Sequence, residues 1–151
     1  MEAFVEEFSI NRNLDWIEGL GEYRILEASE DGLYDVAYNQ TIVGFGVSDR
    51  DFVNLQFHSR LEDGSVYDMI TEYPFEHPED PKHPKRVRGK YLPSGTLIRP
   101  IPGQPNRCQY TFVNNFDLKG LLSRKIINMF SSVFMINYGK ALIAKCKELN
   151  S

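Results

Sequence analysis

The side chains able to do chemistry are few, and the most suggestive run begins at Arg50. From Val53 to Arg60 the residues alternate, with Val53, Leu55 and Phe57 on one face of an extended segment and Asn54, Gln56, His58 and Arg60 on the other. Arg50 stands at the head of that run. A guanidinium there can take a phosphate in bidentate fashion, or it can pair with a neighbouring acid and fix the loop before it. The polar face either looks into solvent or lines a cavity, and a shift of one residue exchanges the two. His58 with a nearby carboxylate such as Asp68 is the one acid–base pair on which a small-molecule hydrolase or cyclase could be built.

Other combinations exclude more than they suggest. His77, Glu79, Asp80 and His83 lie close together, but their spacing is neither that of HExxH nor that of a zinc finger. Pro74, Pro78, Pro81 and Pro84 surround them, so the segment reads as an exposed loop and no metal is expected. Gly19-Leu20-Gly21 and Gly44-Phe45-Gly46 lack a third glycine and a following helix, so neither is a nucleotide loop and no cofactor is expected. Cys108 and Cys146 suggest neither a disulfide framework nor a zinc cluster, and neither has a histidine beside it in sequence. Asn39-Gln40-Thr41 has the form of a glycosylation sequon. The opening MEAFVEEFSI, however, carries acids where a signal peptide needs basic and apolar regions. No uninterrupted apolar run approaches the ~20 residues of a membrane span, and the expectation is a cytoplasmic chain.

The elements that must position these groups come from 151 residues, of which 42% are apolar and 13% aromatic. That is enough for one core and too aromatic for disorder. Phe4, Val5 and Phe8 predict a short amphipathic helix at the start. Strands are predicted over 23–28, 33–39, 51–61, 65–73, 86–92, 96–101 and 109–116. Glu30-Asp31-Gly32, Asp63-Gly64, Pro93-Ser94-Gly95 and Pro102-Gly103 serve as turns between them. Residues 42–49 and 74–85 are longer connections. From Lys119 to Leu149 there is no proline, and Leu122, Ile126, Phe130, Phe134, Tyr138 and Leu142 mark the face of a long helix. Its centre, 126–136, is apolar almost all round, so it is expected to be covered on more than one side. The fold class is α+β, a curved antiparallel sheet closed by the long C-terminal helix.

Charge is divided along the chain. Residues 1–80 hold 19 acids and 4 bases, whereas residues 81–151 hold 13 bases and 2 acids. The simplest reading is that the two parts neutralise each other when packed. A nucleic-acid partner would call for a basic total and interleaved stacking aromatics, and none is expected.

Three motifs then stand out in order: Arg50-Asp51-Phe52-Val53, Leu92-Pro93-Ser94-Gly95-Thr96-Leu97-Ile98, and Asp117-Leu118-Lys119-Gly120 followed by Ile126-Ile127-Asn128. They resemble the START family, the lipid-transfer domains related to the steroidogenic acute regulatory protein, from about Asn13 to Leu149. The resemblance implies a helix-grip fold, no catalysis, and a cavity for one lipid. It makes 42–49, with Gly44, Phe45 and Gly46, a gate at the cavity mouth, and makes the terminal helix a lid. On that register Asn54, Gln56 and His58 face the lipid from the sheet, and Met129, Phe130, Val133, Phe134 and Met135 face it from the helix. Arg50 at the gate would meet a phosphate.

Departures from the family pattern also carry expectations. The family usually has a further helix and strands before this region, so 1–151 reads as a single START-like domain shortened at its N-terminus. Asp15-Trp16 stands where the family has Trp-Asp, and Leu121 and Ser123 stand where it often has Trp and Pro. Ala37 and Gln56 occupy the places of a carboxylate and an arginine that face the cavity in sterol-binding members. The expected function is therefore binding of one lipid, phospholipid-like rather than sterol, and its transfer through transient contact with membranes. The alternatives are an interaction module with an incomplete cavity and the hydrolase or cyclase on the same scaffold. Oligomeric state is left open.

Overall fold

The computed structural model describes residues 14–44 and 46–149. The helix expected at Phe4, Val5 and Phe8 lies outside the described residues, as does Phe45 of the gate loop.

Strands form where the period-two pattern predicts them. They are β1 (Leu20–Ala28), β2 (Tyr34–Thr41), β3 (Arg50–Arg60), β4 (Val66–Glu72), β5 (Val87–Arg88), β6 (Lys90–Tyr91), β7 (Ser94–Ile101), β8 (Gln104–Val113) and β9 (Phe116–Asp117), followed by the helix α1 (Arg124–Leu149). The main sheet runs β1-β2-β3-β4-β7-β8 with every neighbouring pair antiparallel. Three of the turns are as expected. Gly32, Gly64 and Gly103 take positive φ (+69°, +79° and +72°), and Asp31 and Asp63 each accept a hydrogen bond from a backbone N–H two residues on.

Two expectations are corrected. The strand expected over 86–92 is split at Gly89 into β5 and β6. The reason lies in strand length: β4 covers β3 only from Asn54 to Arg60, which leaves the Arg50–Asp51 edge open. β5 lies parallel there, and the N–H groups of Val87 and Gly89 donate to the carbonyls of Asp49 and Asp51. β6 pairs with β9 instead. Pro93-Ser94-Gly95 is accordingly no hairpin turn. Ser94 and Gly95 belong to β7, and Gly95 lies so close to β4 that an added Cβ would stand 2.6 Å from the Asp68 carbonyl oxygen.

The face of the sheet away from the helix is covered by 74–88 and held by charge. Leu26, Val36, Tyr38 and Val53 form the core there, with Leu55 and Tyr73 against it. Above it Arg86 donates to Glu22 at 2.9 Å and to the Tyr38 hydroxyl at 2.5 Å. Arg88 pairs with Asp51 at 3.0 Å and with Asp80 at 2.7 Å. Bases at 86–88 thus close on acids of 1–80, whereas Lys119 and Lys145 pair within the basic half, with Asp117 and Glu148. Burial pushes the Tyr38 hydroxyl up to about 12, so it stays a neutral link in this network. Two histidines of the proline-rich segment are engaged by different acids, His77 by Glu27 at 3.4 Å and His83 by Glu22 at 3.5 Å.

On the other face lies α1. Ser123 caps it, its Oγ accepting from the Ile126 N–H at 3.3 Å, and Lys119 (φ +50°) and Gly120 (φ +71°) turn the chain into it. The helix therefore begins beyond Gly120 and runs for 26 residues. By length and composition alone it would suffice to cross a membrane, although no single apolar run does so. In the fold its Phe130 and Tyr138 are buried against the sheet. Leu142, Cys146 and Leu149 pack on Val66 and Ile98.

Gly89 offers a test of this packing. A Cβ added there would lie 2.3 Å from a ring carbon of the buried Phe52 and 3.1 Å from the Asp117 carbonyl oxygen. Gly89→Ala is expected to lower stability by about 1–3 kcal/mol in urea unfolding. An unchanged midpoint would show that the Phe52 ring swings aside at no cost.

Candidate functional site

Alternation along β2 and β3 sorts their side chains between the two faces. Val36, Tyr38, Val53 and Leu55 join the outer core, which turns Asp35, Ala37, Asn39, Asn54, Gln56 and His58 toward α1. Between this inner face and the helix is a cavity of about 170 Å3. Leu14, Ile17, Leu20, Phe112 and Phe134 supply apolar wall. Tyr23, Gln56, His58, Asp68, Thr96 and Tyr138 supply a polar stretch. A cleft of about 290 Å3 adjoins it, between 42–44 of the gate loop and Phe130, Val133 and Asn137 of α1. Gly19 and Phe134 border both spaces.

The polar face of β3 therefore looks inward. Gln56 and His58 line the cavity, and Gln56 accepts from the Tyr23 hydroxyl at 3.1 Å. His58 is gripped from both neighbouring strands: Nδ1 lies 2.7 Å from Asp68 Oδ1 on β4, and Nε2 lies 3.0 Å from Asp35 Oδ2 on β2. Asn54 is fully buried just outside the cavity lining, donating from Nδ2 to Asn39 Oδ1 at 2.7 Å. Asp35 and Tyr23 went unmarked by sequence. Asp35 shares the period-two face of β2 with Ala37 and Asn39, but only the β2–β3 register places it against Gln56 and within reach of His58.

Arg50 is corrected. It is 2% exposed and does not line the cavity. Its Nε donates to the Leu118 carbonyl at 2.8 Å, Nη2 to the Lys119 carbonyl at 3.1 Å, and Nη1 to the Ser48 carbonyl. With a backbone acceptor at each nitrogen, the guanidinium ties the gate loop to the approach to α1 rather than offering itself to a phosphate. Burial lowers its pKa, and Asp49 nearby opposes that shift.

The helical residues divide. Phe134 lines the cavity and stacks between Phe130 at 5.8 Å and Tyr138 at 6.0 Å. Phe130 and Val133 border the cleft at the gate, and Met135 borders a separate hollow beside Phe116 and Ile127. Met129 lies on the outer surface, 38% exposed, and lines none of these spaces. A period of 3.6 marks a broad apolar arc, but the aromatic row alone decides which part of it turns inward. Tyr138 also meets the sheet, stacking on Phe112 at 5.0 Å and sharing a hydrogen bond with the Tyr110 hydroxyl. Burial raises both hydroxyls, with Asp68 adding to the effect, so they remain protonated. Gly44 and Gly46 both take positive φ (+73° and +72°) and stand clear of their neighbours, which suits a loop at a mouth.

Comparison with known proteins places this geometry. A family model described as the START domain matches residues 5–151. StAR-related lipid transfer protein 5 of Bos taurus is 31% identical over 116 residues, 76% of this chain and 54% of that protein. Steroidogenic acute regulatory protein, mitochondrial, of Bos taurus is 27% identical over 130 residues, 85% of this chain and 44% of that protein. The chain thus spans about half the length of the curated relatives it matches. Among solved structures, human StAR-related lipid transfer protein 5 superposes with a TM-score of 0.79 at 26% identity, covering 91% of this chain and 65% of that one. Human STARD10 does so with a TM-score of 0.79 at 20% identity, covering 97% and 58%.

The role of Arg50 is open to a direct check. Arg50→Met keeps the aliphatic stem and deprives three backbone carbonyls of their donor. Stability is expected to fall by about 2–4 kcal/mol in urea unfolding. A loss below about 1 kcal/mol would show that the clamp is dispensable.

Proposed function

Because this chain belongs to the START domain family, we propose that it holds one lipid between its sheet and α1 and transfers it between membranes. The observation that carries the reading is the cavity under the helix, apolar along most of its wall and polar at one stretch. Enclosing an acyl or ring system there removes apolar surface from water at ~25 cal/mol per Å2, and no bond need be made or broken. The polar stretch then chooses the head group, since unpaired groups in such a site are costly.

The cavity of about 170 Å3 is small for a lipid, and the neighbouring cleft of about 290 Å3 lies behind Phe134. Filling both requires Phe134, and so the middle of α1, to give way. On its outer side α1 exposes Met129, Val133, Ile136 and Ile143. Arg124, Lys125, Lys140 and Lys147 stand toward its ends. That combination suits brief contact with an anionic membrane, where each base contributes ~1 kcal/mol near the surface. We read the helix and the gate as moving together, in a cytoplasmic chain that visits membranes.

The expectation of a phosphate-bearing lipid loses the support of Arg50 and keeps only that of Ala37 and Gln56, which stand where sterol-binding members have a carboxylate and an arginine. The hydrolase alternative is weakened by the site itself. His58 has a carboxylate against each ring nitrogen, so neither nitrogen is placed to take a proton from a substrate or water.

Trp16 is the single tryptophan, and its ring lies 5.7 Å from that of Tyr138 on α1. Lipid entry is expected to change its fluorescence. The purified protein is expected to move labelled lipid between liposomes and to carry co-purifying lipid in mass spectrometry. Joining Ile42 to Val133 with a short crosslinker, after substitution of both by cysteine, should slow transfer at least about tenfold if the gate must open. Undiminished transfer would rule out the moving helix, and absence of any bound or transferred lipid would overturn the carrier reading.

A further inference from the structure

The side chains that join α1 to β8 end in sulfur on both elements. Along β8 Cys108, Tyr110 and Phe112 share the half-buried face, with Gln109, Thr111 and Val113 exposed between and beyond them. On α1 Tyr138, Leu142 and Cys146 recur every fourth residue and so lie on one face. The two rows are pinned at one end, where the Tyr138 ring stacks on Phe112 at 5.0 Å and its hydroxyl meets that of Tyr110. From Phe112 back to Cys108 the strand runs about 13 Å. From Tyr138 on to Cys146 the helix rises about 12 Å. The two lengths match, so the rows bring both cysteines to the same place.

Packing agrees with this. Val66, Ile98 and Tyr110 form one row across β4, β7 and β8, and Cys108 and Cys146 both lie against its buried members, Val66 and Ile98. Burial pushes the Cys146 thiol up, and Cys108 is near enough to push it further. Both residues carry thiols, and they are the two cysteines of the chain. Neither lines the cavity under the helix. Beyond Tyr138 no residue of α1 is fully buried, so its last turns have room to bring the sulfurs to bonding distance.

We propose that Cys108 and Cys146 are a thiol–disulfide site closed by a low-molecular-weight disulfide such as oxidised glutathione, and that closing it fastens the end of α1 to β8. The thiolate of Cys108, on the strand that ends the main sheet, attacks the small disulfide, forms a mixed disulfide and expels one thiolate. The thiolate of Cys146 then attacks the Cys108 sulfur, the protein S–S bond forms and the second small thiolate leaves. Two protein thiols are oxidised, one small disulfide is reduced, and the protons lost by the cysteines go to the departing thiolates. Arg50 already holds the approach to α1 at its other end. With both ends held, Phe134 and the middle of the helix are less free to give way, so oxidation slows lipid exchange. That consequence rests on the carrier reading, whereas the bond itself does not.

The whole chain is incubated with oxidised glutathione, and its remaining thiols and intact mass are measured. Both thiols are expected to disappear from a monomer that carries no glutathione, and Cys146→Ser is expected to stop at a single glutathione adduct. Transfer of fluorescent phosphatidylcholine and of fluorescent cholesterol between liposomes is then followed. Oxidation is expected to slow it at least about tenfold and dithiothreitol to restore it, with Cys108→Ser indifferent to both. Alanine at either position serves if serine prevents folding. A wild type that keeps its thiols, stops at a mixed disulfide or links only between molecules overturns the site. A disulfide that forms and leaves transfer unchanged overturns its effect on exchange. Absence of transfer and of bound lipid in the reduced protein overturns the carrier reading, and the thiol count then judges the site alone.

Discussion

A single buried guanidinium joins the three parts of the molecule that must act together. Arg50 begins β3, so its backbone is held by the sheet, while its side chain holds Ser48 of the gate loop and Leu118 and Lys119 at the approach to α1. These partners are carbonyls, which cannot ionise and hardly move relative to their own backbone. The turn at Lys119 and Gly120 is therefore made against a fixed point, and a Cβ at Gly120 would stand only 3.2 Å from Arg50 Nη2. The direction in which α1 leaves, and hence the depth of the space beneath it, follow from this clamp. Its cost is desolvation of a charge, offset by charge-assisted hydrogen bonds in a region where the backbone would otherwise lack donors.

The two faces of the sheet solve opposite problems with the same strands. Outside, opposite charges meet: Arg86 and Arg88 fold back onto Glu22, Asp51 and Asp80, and the proline-rich segment is held down without needing ladder structure of its own. Inside, the space beneath α1 is kept open by large rings. Phe130, Phe134 and Tyr138 form one stacked row along the helix, and Phe116 and Phe112 meet that row from the sheet. Rings of this size hold the helix away from the strands and leave room between them. That room distinguishes this interior from an ordinary close-packed sheet–helix core.

Phe134 is where these demands meet. It borders the cavity, the cleft at the gate and the hollow beside Met135. A side chain shared by adjoining spaces is the natural partition between them, and its position depends on the helix backbone rather than on any hydrogen bond. The polar groups beneath it are held differently. Asp35, His58 and Asp68 come from β2, β3 and β4, consecutive paired strands, so their positions follow from the register of the sheet rather than from α1.

Much of the architecture could be read from sequence, because hairpins and helices are local. Asp31-Gly32, Asp63-Gly64 and Gly103 needed only their own neighbours to turn, and the periods on either side set strand or helix. Along β3 the alternation separated Gln56 and His58 from Leu55 and Phe57. A period of two, however, cannot say which face is inside, and that awaited the packing of Tyr38, Val36 and Val53 beneath 74–88. Arg50 was legible as a cation that binds a phosphate or pairs with an acid to fix the loop, but its actual partners were not, since backbone carbonyls 68 and 69 residues away have no signature in the sequence. The same holds for the splitting of 86–92, which follows from the unequal lengths of β3 and β4. It holds again for the pairing of His58 with Asp35, 23 residues apart on neighbouring strands. Sequence by itself determined the elements, their order and the residue types available to each face. The tertiary structure alone decided which face encloses the cavity and which charges meet there, because register and burial are properties of the assembled sheet rather than of any one strand.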